Sequence, residues 1–380
     1  MKFLFVMKYP LVDPYSLMQK FNGELNAVRN LGHEVYYISF DRDFLYLDNG
    51  KKREKLQKTT LGHMKHYFHT LVFYDIYHAA QKAIMENDFD VVYFRFSPLN
   101  RPGCKMMETA AQRSTLVVEV PSVPPYTSKA KNALRAVYHK RSKKLWETNA
   151  HYATLMTGCG EPTQSLWGVP FLNIDNGIDV SLIPPKKESR SADGKLHLLA
   201  VASMCQWHGY ERLINGLAQW NSEEAKQYVI DFVGSDGDGS LAEWKKLTIE
   251  KGLSEQVIFH GRLTGDALTE MYDQAVLGVS TLALYKLGYS AGSVLKLREY
   301  MARGIPFIYA HDDPHMSPDM KWCFKIPNDA SPVPMPELHR FVLGVLKEQN
   351  LAEQMRSYAK AHMSWESQFE SIIKRLGETA

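Results

Sequence analysis

The stretch Gly292-Ser-Val-Leu-Lys-Leu-Arg-Glu-Tyr-Met-Ala-Arg-Gly-Ile-Pro306 reads as a loop, a helix and the start of a buried strand. Gly292 and Ser293 would open the helix, with Ser293 as N-cap for amides that lack internal partners. Val294, Leu297 and Met301 fall on one face at i, i+3 and i+7 and would be buried, while Lys296, Glu299 and Arg303 fall on another. Gly304 can end the helix, and Ile305-Pro306 leads into the strand Phe307-Ile308-Tyr309. One feature is out of place. Lys296 and Arg298 occupy the first turns, where the helix dipole disfavours cations. An anion bound at the helix N-terminus would remove that conflict. Glu299 then stands about 9 Å along the axis, the reach from a diphosphate to a ribose.

Around this helix the sequence alternates short apolar runs with helical stretches, the pattern of βα units and parallel sheets. Phe3–Met7, Val35–Phe40, Asp90–Phe94, Leu116–Val120 and Ala153–Thr157 read as strands, and Leu17–Leu31 as an amphipathic helix. A linker is expected over 170–196, where Asn176-Gly-Ile-Asp179, Pro184-Pro185 and a polar run follow one another. A second series then begins. It has strands at Leu196–Ala202, Tyr228–Val233, Val257–His260 and Val276–Ser280, and helices at Tyr210–Trp220, Leu241–Lys251 and Gly265–Gln274. Trp365–Leu376 reads as a last helix.

A chain of 380 residues exceeds one ordinary core and divides into two domains. Its 45 Lys and Arg against 42 Asp and Glu leave a net charge of +3, with the bases concentrated in the N-terminal half. That asymmetry points to an anionic acceptor or a membrane surface. No apolar run reaches the roughly 20 residues that cross a bilayer, and Lys8 and Pro10 break the first run, so it reads as a strand rather than a signal peptide. The four cysteines lack metal-ligand spacing and suit reduced thiols of a cytoplasmic protein. Residues 129–144 hold seven Lys and Arg and no acid, with Leu134, Val137, Tyr138 and Leu145 at near-helical spacing. Such a helix lies on an anionic membrane or is a solvated face. Without interleaved aromatics it does not suit nucleic acid. Asp236-Gly-Asp238, Asp88-Phe-Asp90 and Asp41-Arg-Asp43 read as solvated loop acids rather than metal ligands.

Ser293 to Pro306 resembles the nucleotide-sugar-binding segment of family-4 glycosyltransferases, retaining enzymes of the GT-B fold. The form Ser-x-Leu-Lys-x-Arg-Glu-Tyr is similar to that of members acting on bacterial surface and capsular polysaccharides. Asn176-Gly-Ile-Asp179, Phe232-Val-Gly234 and Val257-Ile-Phe-His-Gly-Arg262 recur in the same order in that family, and Leu31-Gly-His-Glu-Val35 carries a weaker likeness. The resemblance implies two Rossmann-like, doubly wound parallel-sheet domains facing a cleft: an acceptor domain over 1–185, a nucleotide-sugar domain over 186–360, and a helix over 361–380 returning to the first. It implies a nucleotide diphosphate-sugar donor, UDP being one expected nucleotide, no metal, and a glycan or lipid-linked acceptor. The site would lie in the cytoplasm, with a peripheral place on the inner membrane face suggested by 129–144.

On the same resemblance Glu299 holds the ribose, and the backbone of Ser293, Val294 and Leu295 with Lys296 holds the diphosphate. The family's other Glu, eight residues earlier, is Ala291 here. Its Arg-x4-Lys-Gly segment aligns with Ala202–Gly209, so that Ser203 and His208 replace two permanent cations. Lys296 and Lys286 are then the candidate replacements, beside Trp207, the His208 ring and the Gly209 amide. The leaving diphosphate needs such donors. Arg262 is a candidate for the base. Ser16 replaces the family's glycines after the first strand. Glu119, at a strand end, is a candidate catalytic carboxylate, and Arg95 a candidate acceptor contact. A nucleotide-sugar epimerase and a non-catalytic partner of a glycosyltransferase remain open alternatives.

Overall fold

The computed structural model describes residues 1–11, 17–41, 43–60, 69–123, 125, 133–187 and 193–379. The chain forms two compact units, Met1–Asp175 with Trp365–Ala380, and Asn176–Ser364.

The first unit runs β1 (Lys2–Pro10), α1 (Met18–Asn30), β2 (Glu34–Phe40), β3 (Phe44–Asp48), β4 (Arg53–Lys58), α2 (His69–Glu86), β5 (Val91–Arg95), α3 (Arg101–Arg113), β6 (Thr115–Val123), α4 (Ala133–Asn149), β7 (Leu155–Gly160), β8 (Ser165–Leu166) and β9 (Val169–Asn173). Its sheet has the order β4-β3-β2-β1-β5-β6-β7-β9-β8. The central strands are parallel, and the β3–β4 hairpin and β8 are antiparallel. Period-two alternation divides the core. Leu4, Val6, Val92, Phe94 and Val118 pack with Tyr77, Met106 and Trp146 on one face. Phe3, Phe5, Tyr93 and Val117 pack on the other with Phe21, Leu25, Trp365 and Phe369.

The second unit runs β10 (Leu196–Val201), α5 (Glu211–Gln219), β11 (Tyr228–Val233), α6 (Ser240–Glu250), β12 (Val257–Gly261), α7 (Gly265–Gln274), β13 (Ala275–Val279), α8 (Leu295–Arg303), β14 (Phe307–Tyr309), β15 (Cys323–Lys325), α9 (Met335–Val345) and α10 (Leu351–His362). A last helix, α11 (Trp365–Thr379), belongs to the first unit. The second sheet is all parallel in the order β12-β11-β10-β13-β14-β15. That is the doubly wound arrangement, with the winding reversing between β10 and β13.

Three expectations need correction. The linker expected from 170 is interrupted at its start, because Val169–Asn173 is a strand paired to β7. The β3–β4 hairpin was not anticipated: Arg53-Glu-Lys-Leu-Gln-Lys58 buries only Leu56, as a charged edge strand does. In the basic segment, 129–132 lie outside the described residues. Farther along, Val137 is 68% exposed whereas Ser142 and Trp146 are buried, so the inward face of α4 is not the apolar row expected.

Candidate functional site

Open α/β sheets bind ligands beyond the carboxyl ends of the strands where the winding reverses. Here that place is set by the turn after β10, the loop after β13 and the N-terminus of α8.

The turn at Gln206–His208 closes on Gly209, at φ 67° and ψ 30°. A Cβ on Gly209 would stand 2.5 Å from that of Ala283, so the turn and the β13 loop approach closely only because the residue is glycine. Leu282 N donates to the His208 carbonyl at 2.9 Å, joining the two loops. The Gly209 amide donates to the Gln206 carbonyl, so it is not the ligand donor expected; glycine serves the turn instead. His208 is buried, and its Nδ1 accepts from Cys205 N at 3.2 Å. Burial, then the neighbouring Lys296 charge, holds the ring well below the usual histidine range. A neutral ring with an accepting Nδ1 carries its proton on Nε2 and donates from there. Trp207 packs against His208 at 3.8 Å between ring centroids, and His208 stacks on Tyr210 at 5.3 Å.

Lys296 reaches into this aromatic cluster from the first turn of α8. Its Nζ donates to the Tyr210 hydroxyl at 2.9 Å and lies 5.4 Å from the Tyr210 ring centroid and 6.0 Å from that of Trp207. Among the described residues no carboxylate pairs with it. Burial lowers its pKa from 10.5 to about 7. A cation so placed, beside a helix N-terminus, lacks only an anion.

The helix start differs from expectation in an informative way. Val294, not Ser293, is the N-cap, and no side chain caps the helix. Among the described residues the amides of Leu295 and Lys296 have no acceptor. The Ser293 hydroxyl accepts instead from Asn176 N at 2.9 Å and from Arg298 at 2.8 Å, and the Ser293 carbonyl accepts from Asn176 Nδ2 at 2.6 Å. Arg298 is fully buried against Asp313, with contacts of 2.9 and 3.0 Å. Of the two misplaced cations, Arg298 is therefore answered inside the protein, and Lys296 is not. The expected polar face is also partly internal: Arg303 is buried over the Tyr272 ring at 3.8 Å and donates from Nε and a terminal nitrogen to Glu299 Oε1, each at 3.0 Å.

Lys286 is paired with Glu211, whose other oxygen accepts from Trp244 at 3.2 Å. Arg262 is exposed just past β12, while the preceding His260 is held by Asp231 at 2.7 Å. Trp207, His208, Lys296 and the Ser293–Leu295 backbone thus meet around the β10–β13 junction. Tyr210, Asn176 and Asp313, which the sequence reading missed, are the groups that fix them. Only Asn176 carried a signal, through its Asn-Gly-Ile-Asp motif.

Glu119 and Arg95 belong to the other unit, and Ser16 lies outside the described residues. Glu119 is 3% exposed and accepts from Arg95 at 2.5 and 2.6 Å, with Lys20 at 3.1 Å. Burial opposes its ionisation, but Arg95 and Lys20 outweigh burial and hold the carboxyl below the usual range. A carboxylate so engaged is a weak proton acceptor. Nearby Glu24, with Lys20 at 2.6 Å, is pushed up to about 7, chiefly by burial.

Of the Asp-x-Asp acids, Asp88, Asp90, Asp236 and Asp238 are exposed, as expected of loop acids, and several also hold local turns. Asp238 accepts from Gln206 N and Ser240 N, Asp236 from Gly239 N, and Asp41 from Asp43 N, Phe44 N and Tyr46. Among the described residues no cluster of histidine, cysteine and carboxylates has the grouping of a metal site. None of the described helices is long and apolar enough to cross a membrane.

Residues 195–317 match the family described as glycosyl transferases group 1. That segment contains Trp207, His208, Tyr210, Lys296 and Asp313; Asn176, which holds Ser293, lies before it. The whole chain superimposes on a sucrose-phosphate synthase from Thermosynechococcus elongatus with a TM-score of 0.65 at 14% identity, covering 100% of both chains. Anabaena Alr3699/HepE, solved in complex with UDP-glucose, matches with a TM-score of 0.57 at 15% identity, again over 100% of both. The catalytic domain of starch synthase IV from Arabidopsis thaliana, bound to ADP and acarbose, gives 0.66 at 9% identity, over 98% of this chain and 99% of that one. The chain has the GT-B fold: two parallel-sheet α/β domains. A search of the curated proteins returns no match.

Proposed function

We propose that this protein transfers a sugar from a nucleotide diphosphate-sugar to a hydroxyl of a glycan or lipid-linked glycan, with retention at the anomeric carbon. The observation that carries the reading is Lys296, a half-buried ammonium with one neutral partner among the described residues, beside the open amides of α8. A diphosphate would supply the missing charge and accept those amides together. The group 1 match over the same residues supports this, as do the UDP-glucose and ADP complexes of proteins with this fold.

In this account Lys296 and the Val294–Lys296 amides hold the diphosphate, His208 Nε2–H adds a neutral donor, and Glu299, oriented by Arg303, accepts from the ribose hydroxyls. Lys286 stands near as a second cation tempered by Glu211, and Arg262 meets the base. As the bond from anomeric carbon to phosphate oxygen breaks, Lys296 stabilises the charge gathering on the diphosphate. The acceptor oxygen attacks from the same face, and its proton passes to the departing phosphate oxygen. Glu119 fixes Arg95, which contacts the acceptor.

Calorimetric titration with UDP, GDP and ADP, followed by a nucleotide-release assay with the matching sugars and a glycan acceptor, tests the proposal. One nucleotide should bind, and release should require acceptor. Failure of all three to bind would overturn it.

A further inference from the structure

The first unit carries a cavity of about 540 Å³ on the side where α2, α3 and α4 meet. Each helix contributes one face. Tyr74 and His78, four residues apart on α2, stack edge to face at 4.7 Å. Arg101 and Lys105 are four apart on α3, so both point the same way. Tyr138, Arg141 and Leu145 follow at i, i+3 and i+7 on α4. The frame is fixed from below: Leu99 N donates to Ser142 Oγ at 2.8 Å and Trp146 Nε1 to the Ser97 carbonyl at 3.0 Å. Leu99 is buried and forms the floor.

Its chemistry is one-sided. Among the described residues the lining includes three cations, Arg101, Lys105 and Arg141, and no carboxylate. All three are exposed, and none pairs with a described acid. The start of α3 does not explain them, since Asn100 Oδ1 takes the Gly103 amide and Pro102 has none to offer. The Tyr138 hydroxyl is a second signal: its oxygen is buried and, among the described residues, has no hydrogen-bond partner. A buried hydroxyl without a partner is costly, and a ligand oxygen would satisfy it. Leu99, Leu145 and Pro102 supply its apolar walls, beside the polar His78 and Asn100. Tyr74, which lines it, is 43% exposed.

We infer that this cavity binds the phosphate-bearing headgroup of an anionic lipid, with the phosphate between Arg101, Lys105 and Arg141 and the first part of the chain against Leu99 and Leu145. Cations around an apolar floor suit an anion joined to an apolar body, and the volume is that of a small-molecule site. The inference is independent of the nucleotide-sugar reading, because it uses no residue of the second unit.

The test is titration of the full chain with dihexanoyl phosphatidic acid below its micelle concentration, beside dihexanoyl phosphatidylcholine and inorganic phosphate. The acid should bind, and more weakly as salt rises. Arg101→Ala and Arg141→Ala should each weaken it about tenfold, the loss of one charge-assisted hydrogen bond. Both residues are exposed, so melting temperatures should not change. Tyr138→Phe should weaken binding less, and Lys296→Ala not at all, so that this site and the nucleotide site fail separately. Equal binding of phosphatidylcholine would overturn the charge argument. Equal binding of inorganic phosphate with the same sensitivity to the variants would overturn the lipid assignment. No binding of the acid, or binding indifferent to all three cavity variants, would overturn the site.

Discussion

Replacing Lys296 by methionine should make the protein more stable and a poorer nucleotide binder. Methionine keeps the apolar stem against Trp207 and Tyr210 and removes the ammonium. Burial lowers the lysine pKa from 10.5 to about 7. At about 1.4 kcal/mol per unit, holding the charge costs up to roughly 5 kcal/mol. Partial solvent access reduces this, and the lost bond to Tyr210 returns about 1 kcal/mol. A net gain of about 2 kcal/mol remains, a rise of about 4–8 °C in Tm for a domain of this size. The pH dependence has a definite sign. Between about pH 7 and 10.5 the unfolded lysine holds a proton that the folded one has lost, so wild-type stability climbs with pH across that window. Below pH 7 both states are protonated and the full cost applies. The advantage of Lys296→Met should therefore be largest at pH 6.5 and smaller at pH 9. Thermal unfolding at both values, without nucleotide, reads it directly. A variant less stable than wild type at pH 6.5, or an unchanged pH slope, would refute the argument that this cation is held against its own solvation.

Further expectations concern the supports of the site. Arg298→Ala should destabilise by about 4 kcal/mol, because Asp313 is left as an uncompensated buried charge; denaturant unfolding measures it. Glu299→Gln keeps the size and an accepting oxygen but loses the charge. It should weaken nucleoside diphosphate binding about tenfold in calorimetry while leaving pyrophosphate binding unaltered. Glu24, pushed up to about 7 mainly by burial, is protonated when folded and ionised when unfolded between about pH 4.5 and 7. Its cost thus grows as pH rises through that window, and Glu24→Gln should stabilise by about 2 kcal/mol above pH 7 and by little at pH 4.5, as thermal melts at the two values would show.

The parts of the fold legible in the sequence are those where one local rule suffices. Tyr228–Val233 is apolar except for Asp231, as a strand covered on both faces tends to be, and its observed limits are those expected; the buried Asp231 is held by His197 and His260. The helix at Gly265–Gln274 likewise falls where its pattern places it. The β3–β4 hairpin was hidden because an edge strand exposes its charges and loses the apolar signature. The site was half legible. Lys296 and Arg298 stand out as misplaced cations in the first turns of a helix, but which one is free depends on Asp313, fifteen residues away in sequence and brought near only by the fold. The same holds for Ser293. Its position suggests a cap, yet Asn176, from the start of the second unit, captures its hydroxyl. Glu119 was conspicuous at a strand end, and what the sequence could not show was that Arg95 and Lys20 already occupy it.

The most direct measurement is the proton count on binding UDP at pH 8, from calorimetry in two buffers of different ionisation heat. With a pKa of about 7, Lys296 is mostly neutral at that pH, and an adjoining diphosphate would restore its charge. The wild type should take up close to one proton per nucleotide and Lys296→Met none, with affinity at least tenfold lower. Equal affinity and an equal proton count in the two proteins would contradict a diphosphate seated on Lys296.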